Sequence, residues 1–441
     1  MINKVLFTPV LVLIVLIVLG TITSCGDSNS SSSGETTPVI TENDLSNLTV
    51  YDTSGKFANV LYECVQTNSS CTLANLPFIA QENSNIDSNL ISKRVLVSHN
   101  WMGIRFKQIL DALPKKTLQL FGSVTAIVIH SEIRPSFYWS KTGAIYIDPD
   151  YLWLTLSEKN DISKKADYRT NYGKSLATRF LWRYVKDNKY AYKYYSLNDN
   201  SERTLGDITL PVFRLLFHEL AHANDIAPRD KLYLLDKNEK IQNVLNSTSF
   251  IEQHVSHRLY NSGYKLFSQE LLDLAKVLYG GTNATSHQKQ MQPDYAGSLF
   301  ASDNANNMYS YYTLYEDVAM IFEAILMKYF FDVEMDIAFS NNPSGSNLTC
   351  SDYIVGWGSR NRISSALLKT RANYMMNLLF ISDINWNVFL DTEVGNEKPM
   401  RQGVDWCINL NLDSDSISNK QYMPYNSHSI KRVHIKEMLP P

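Results

Sequence analysis

Leu210-Pro211-Val212-Phe213-Arg214-Leu215-Leu216-Phe217-His218-Glu219-Leu220-Ala221-His222-Ala223-Asn224-Asp225 sets the pattern His-Glu-x-x-His inside an almost wholly apolar run. Pro211 suits the first turn of a helix, where its missing N–H costs nothing, and Pro228 cannot continue one, so a helix is predicted over 209–226. On that helix His218 and His222 stand four residues apart and stack on one face, close enough to share a metal ion. Glu219 lies beside them, placed to take a proton from a water that the ion activates. Apart from Arg214 the turns before His218 are apolar on every side, which predicts a buried helix. Buried imidazoles and a buried carboxylate need partners, and a metal supplies them. The competing reading is a chance match in a core helix whose histidines are satisfied by hydrogen bonds.

The rest of the chain sets the context. With 441 residues and 44% hydrophobic content it can bury a large core, in one domain or two. A formal net charge of −3 offers no basic field, so no nucleic-acid partner is expected. Lys4 and the apolar stretch from Val5 to Leu19 form a targeting segment, at about 15 residues short of the roughly 20 needed to span a bilayer. Ile22-Thr23-Ser24-Cys25 follows and resembles the lipobox of bacterial lipoproteins. That resemblance implies a signal peptide over 1–24, a lipidated Cys25, and a protein anchored in the cell envelope. Because Gly26 follows the cysteine, it also implies the outer membrane, with the body facing the periplasm or the surface. Residues 25–48 include a Ser-rich stretch and read as the lipidated cysteine with a flexible tether. Four further cysteines, an even number in an exported chain, favour two disulfides. The close pair is Cys64 with Cys71, leaving Cys350 with Cys407.

Residues 49–441 are expected to form the folded body, with a mixed part to about 205, the metal helix, and a mostly helical remainder. Strands are predicted around Lys93–Ser98 and Val124–His130, and a short helix over Ile104–Leu113. Phe137–Asp148 reads as a hairpin or bent edge strand. Gly143 to Ile147 within it is either an edge that pairs with an extended peptide or an ordinary sheet strand. Residues 157–205, rich in Tyr and Lys, read as a solvated insertion, and His254 and His257 as surface histidines. A packing helix is predicted over Ile363–Phe380, and the basic tail Lys431–Lys436 is assigned no role.

A catalytic zinc takes three protein ligands and leaves one position open. Two are in hand, and no third lies close behind His222, where Asp225 and Pro228 occupy the places a metzincin would fill. A carboxylate on another helix is the remaining common solution. The helix predicted over Thr313–Leu326 carries Glu316, Asp317 and Glu323 as its only acids.

Here the chain resembles the gluzincin metallopeptidases, nearest to the lethal-factor and Mlc titration-factor type. His218-Glu219-Leu220-Ala221-His222-Ala223-Asn224-Asp225 matches their His-Glu-x-x-His-x-x-Asp, and Glu316-Asp317-Val318-Ala319-Met320-Ile321-Phe322 matches Glu-x-x-Ala-x-x-Phe. The resemblance covers these two short motifs. It implies an α+β, zincin-like fold with a mixed sheet, an edge strand before the metal helix and a mostly helical second half. It implies one Zn²⁺ per chain on His218, His222 and Glu316, with Glu219 as general base. Tyr309, seven residues before Glu316, would assist catalysis, with Tyr311 or Tyr312 behind it. Where thermolysin-like members carry an Asp four residues after the ligand Glu this chain has Met320, so Asp225 or Asp317 is expected to orient a ligating imidazole.

The function implied is zinc-dependent hydrolysis of peptide or protein substrates by a monomer held on a membrane by its lipid anchor. The alternatives are a non-catalytic zinc-binding surface lipoprotein and a zinc amidase acting on cell-wall peptides. Glu316 also has a plain structural reading, because Thr313-x-x-Glu316 is a capping-box pattern.

Overall fold

Short strands buried on both faces build the first layer. The computed structural model describes residues 45–413, apart from 194, 196–199, 346–347 and 381–383. The targeting segment, Cys25, most of the tether and the basic tail lie outside the described residues. Strands β1 (Thr49–Val50), β2 (Val95–Val97), β3 (Ile127–Ile129), β4 (Phe137–Trp139) and β5 (Ala144–Ile147) form a sheet in the order β1-β2-β3-β5-β4. The three central strands run parallel, with Val95 opposite Ile127 and Ile127 opposite Ile145, while both outer strands are antiparallel. Val95, Val97, Ile127, Ile129, Ile145 and Ile147 point into the main core. Leu96, Val128, Ala144 and Tyr146 point the other way, into a second cluster with Leu61, Cys64 and Val65. Both faces are therefore covered, as central parallel strands require.

A second sheet, fully antiparallel, has the order β10-β9-β8-β6-β7. Its strands are β6 (Thr178–Lys186), β7 (Lys189–Tyr190), β8 (Glu334–Asn341), β9 (Val355–Arg360) and β10 (Lys398–Pro399). Phe180, Trp182, Tyr184, Met335, Ile337 and Phe339 face the main core, while Leu181, Ala338 and Val355 face a third cluster with Trp406. The motif helix (Leu205–Ile226) runs through the core and touches β4, β5 and the helix Asn100–Ala112. Packed along it is the acidic helix (Leu314–Phe331).

The α+β class is thus seen, and so are the expected strand pair and the helix after it, now Asn100–Ala112 rather than Ile104–Leu113. The packing helix is Ala366–Leu379. Four expectations need correction.

The stretch Gly143 to Ile147 is not an edge. Gly143, at φ +67°, closes a tight turn that folds β4 back along β5, so β5 is paired on both sides and β4 is outermost. The second half is mostly helical, as expected, with β8, β9 and β10 set among its helices.

Residues 157–205 are not simply a solvated insertion. Their basic-aromatic alternation includes β6, whose aromatic face is core and whose outward Arg183 is buried against Asp336, Nε to Oδ2 2.8 Å. Arg360 meets the same carboxylate at 2.6 Å, so the two cations there are answered from the neighbouring strand.

Pro211 is not in the first turn. Thr204 caps the motif helix, accepting from the Asp207 N–H while Asp207 reaches back to the Thr204 N–H at 2.7 Å, so the helix begins six residues before the proline. Finally, His254 is buried rather than at the surface, with Nε2 3.1 Å from the Leu245 carbonyl and Nδ1 3.2 Å from the Tyr315 hydroxyl. His257 is half-buried beside it.

Cys64 and Cys71, and likewise Cys350 and Cys407, stand at disulfide distance, with Cα atoms 5.3 and 5.2 Å apart. Among the described residues no helix is long and apolar enough to cross a membrane.

Candidate metal centre

On the motif helix Arg214, His218 and His222 recur every four residues and so share one face. On the acidic helix Glu316 and Glu323 are seven apart, two turns, and share another. The two faces meet in the core, and all five side chains are buried. Further support holds the motif helix in position. Asn224 donates to the Leu120 carbonyl at 2.9 Å, Ser123 donates to the Ala227 carbonyl at 2.6 Å, and Asp225 accepts the Ser256 N–H at 2.8 Å.

His218, His222 and Glu316 form the one group among the described residues able to hold a metal ion. Their facing atoms make a nearly equilateral triangle. Nε2 to Nε2 is 3.2 Å, His218 Nε2 to Glu316 Oε2 is 3.2 Å, and His222 Nε2 to Glu316 Oε2 is 3.4 Å. A tetrahedral ion with bonds of about 2.0–2.1 Å to nitrogen and oxygen sets its ligand atoms about 3.3–3.4 Å apart. The triangle therefore has the dimensions of one face of such a tetrahedron. Two imidazoles with a carboxylate are also a donor set suited to a divalent transition ion.

Burial and the neighbouring charges set the protonation of the group. Burial alone would depress His218, but hydrogen bonds to Glu316 and Glu323 outweigh it and hold the imidazole at about 10. Burial would raise Glu316, but the two histidines outweigh it and hold its carboxyl well below the usual range. Without a metal, a proton keeps the imidazoles and the carboxylate together; an ion would displace it.

Thr313 caps the acidic helix with its hydroxyl, accepting from the Glu316 N–H at 3.1 Å, while the Glu316 carboxylate turns to the imidazoles and not back to the cap. The structural reading of that residue as half of a capping box is not what the geometry shows. Glu219 is buried, its Oε2 has no hydrogen-bond partner among the described residues, and burial pushes its pKa up. A free carboxylate oxygen next to the triangle suits a proton acceptor.

Tyr309 is held in a short turn by Asn307, whose Oδ1 accepts its N–H at 2.9 Å. Its ring lies 6.3 Å from that of His218 with 17° between planes, and burial together with the Glu316 carboxylate pushes its hydroxyl's pKa well up. Tyr312 stacks on Tyr309 at 5.8 Å, whereas burial together with the neighbouring Asp303 carboxylate pushes the pKa of Tyr311 up.

Of the two expected orienting acids, Asp317 is engaged elsewhere, while Asp225 lies within electrostatic reach of His222. Asp317 pairs with Arg371 of the helix Ala366–Leu379, because its place one residue after Glu316 turns it away from the motif helix. Asp225 receives the Ser256 N–H, and burial pushes its carboxyl up to about 7. Among the described residues its other oxygen, like Nδ1 of His222, has no hydrogen-bond partner. The residue that does reach an imidazole is Glu323, whose Oε2 lies 3.1 Å from Nδ1 of His218. Sequence reasoning named Glu323 only as an acid of its helix. Its spacing of seven from Glu316 was the available signal, and Arg214 gave the matching one, four residues before His218.

Replacing Glu316 with Ala is expected to leave a folded protein, since the Thr313 cap uses only the backbone N–H of that residue, and to cut any divalent metal held by the wild type, zinc being the ion tried first, to a small fraction. Metal analysis beside a melting curve checks this. Stoichiometric, tightly held zinc in Glu316→Ala would remove the residue from the ligand set. Comparison with family models, with curated proteins and with solved structures found no match for this chain.

Proposed function

We propose that the chain is a zinc-dependent peptidase whose ligands are His218, His222 and Glu316. The observation that carries the reading is the triangle, with edges of 3.2, 3.2 and 3.4 Å, beside a buried carboxylate with an unpartnered oxygen. When bound, the ion would polarise a carbonyl and bring a coordinated water towards a pKa of about 7. Within this chain, His218 and His222 present Nε2 to one point, and Glu316 adds a negative charge there. Glu219 accepts a proton during attack and returns it to the leaving amine. Its raised pKa lets it hold the proton between those two steps. Tyr309 presents a hydroxyl on the same side as Glu316 and would donate to the oxygen that becomes negative in the transition state.

A second reading, an ion that only holds the fold together, has one observation in its favour. The ligands are nearly sealed, His218 at 1%, His222 at 5% and Glu316 at 8% exposure. Three protein ligands rather than four weigh against it, since structural zinc sites close the fourth position with protein. The proposal also places the enzyme on a membrane through Cys25, and release of Cys25→Ser protein from the membrane fraction is the corresponding check.

Glu219→Gln separates the two readings. The peptidase reading expects zinc content to be unchanged and peptide turnover to fall about 10²–10⁴-fold, measured on a peptide library with the soluble chain. Turnover close to wild type in that variant would refute the assignment of Glu219 as base. A wild-type protein that binds zinc and cleaves nothing would support the structural ion.

A further inference from the structure

A carboxylate at 0% exposure in the middle of a core is costly unless donors answer it. Glu323 has three. The Tyr184 hydroxyl donates to Oε1 at 2.6 Å, while Oε2 receives Nδ1 of His218 at 3.1 Å and Nη1 of Arg214 at 3.4 Å. The arginine contact is the longest and engages one nitrogen only, so it is not the bidentate pairing an arginine makes when charge neutralisation governs the geometry. Arg214 is held elsewhere as well, by the Tyr151 hydroxyl at 3.3 Å and against the ring of Trp182 at 5.2 Å. The short bond from Tyr184, which stands on the inner face of β6, sets the direction of the carboxylate, and that direction is toward the imidazole.

We propose that Glu323 is a positioning residue for the metal centre: it takes Nδ1–H of His218 and so turns the lone pair of Nε2 toward the ion. One helix thereby clamps the ring from both ends, Glu316 on the Nε2 side at 3.2 Å and Glu323 on the Nδ1 side at 3.1 Å. His222 has no corresponding partner on Nδ1 among the described residues, so the two histidine ligands are unequal and His218 is the fixed one. Arg214 and Tyr184 act at one further remove, keeping the carboxylate ionised and aimed. The inference rests on the metal-site reading.

Partners that orient a ligating histidine raise metal affinity about 10–100-fold. The test is competition between the purified chain and a chromophoric chelator for zinc, with cobalt as a spectroscopic reporter. Glu323→Gln is expected to weaken zinc by about 10–100-fold and to change the visible bands of the cobalt form. Since Glu323→Gln leaves Arg214 buried and without its carboxylate, the charge-neutral pair Arg214→Met with Glu323→Gln is measured beside it. The same loss of affinity is expected there in a protein that melts near wild type. If either variant is folded and holds zinc as tightly as wild type, Glu323 is merely the counter-ion of Arg214 and the proposal fails, while wild-type zinc binding that disappears in Glu316→Ala leaves the metal centre standing. A wild-type chain that binds no zinc overturns both.

Discussion

Two imidazoles and three carboxylates, those of Glu219, Glu316 and Glu323, share the buried seam between the motif helix and the acidic helix, shielded from bulk solvent. That constraint governs the centre of the molecule. Each group can stay only if a neighbour answers its charge or its hydrogen-bonding atoms. Glu316 is answered by both histidines, and Glu323 by Tyr184, Arg214 and His218. Nδ1 of His222 and one oxygen of Glu219 remain without protein partners among the described residues, in a site that has the dimensions for an ion.

The sheets serve that seam. The first sheet gives the motif helix an aliphatic floor of alternating Val and Ile side chains, touching it through β4 and β5. The second sheet supplies the aromatic face on which Tyr184 stands, and its outer face is sealed by a separate cluster around Trp406. Between them Phe213 and Phe217 pack on Phe331 of the acidic helix, at 5.3 and 6.2 Å between ring centres. Apolar packing along the two helices thus fixes the distance at which the polar face must close. This is why a small set of charged residues so far apart in sequence can form a triangle with edges equal to within a few tenths of an ångström.

What could be read beforehand followed the range of the interactions. His218 and His222 were legible because a four-residue spacing on a helix is a local fact. Glu316 needed a resemblance between short motifs, since nothing local says which acid of a distant helix will cross the seam. Glu323 could not be assigned a role, because which acid meets Nδ1 depends on how two helices face each other; the same lack of tertiary information put an orienting role on Asp317, which pairs with Arg371 instead. β6 was misjudged for a related reason: Arg183 reads as solvated until Asp336 of the adjoining strand is known to neutralise it. Pro211 suggested a helix start because the capping pair Thr204 and Asp207, further upstream, was not weighed.

The proposed centre holds one ion on two imidazole nitrogens and one carboxylate oxygen, with a position left open. X-ray absorption at the zinc edge, on the chain purified with stoichiometric metal, tests it most directly. The expected first shell is nitrogen and oxygen only, at about 2.0–2.1 Å, with the outer-shell signature of two imidazoles and a fourth light scatterer that exchanges with solvent anions. A sulfur scatterer near 2.3 Å, or a shell without imidazole, would contradict it.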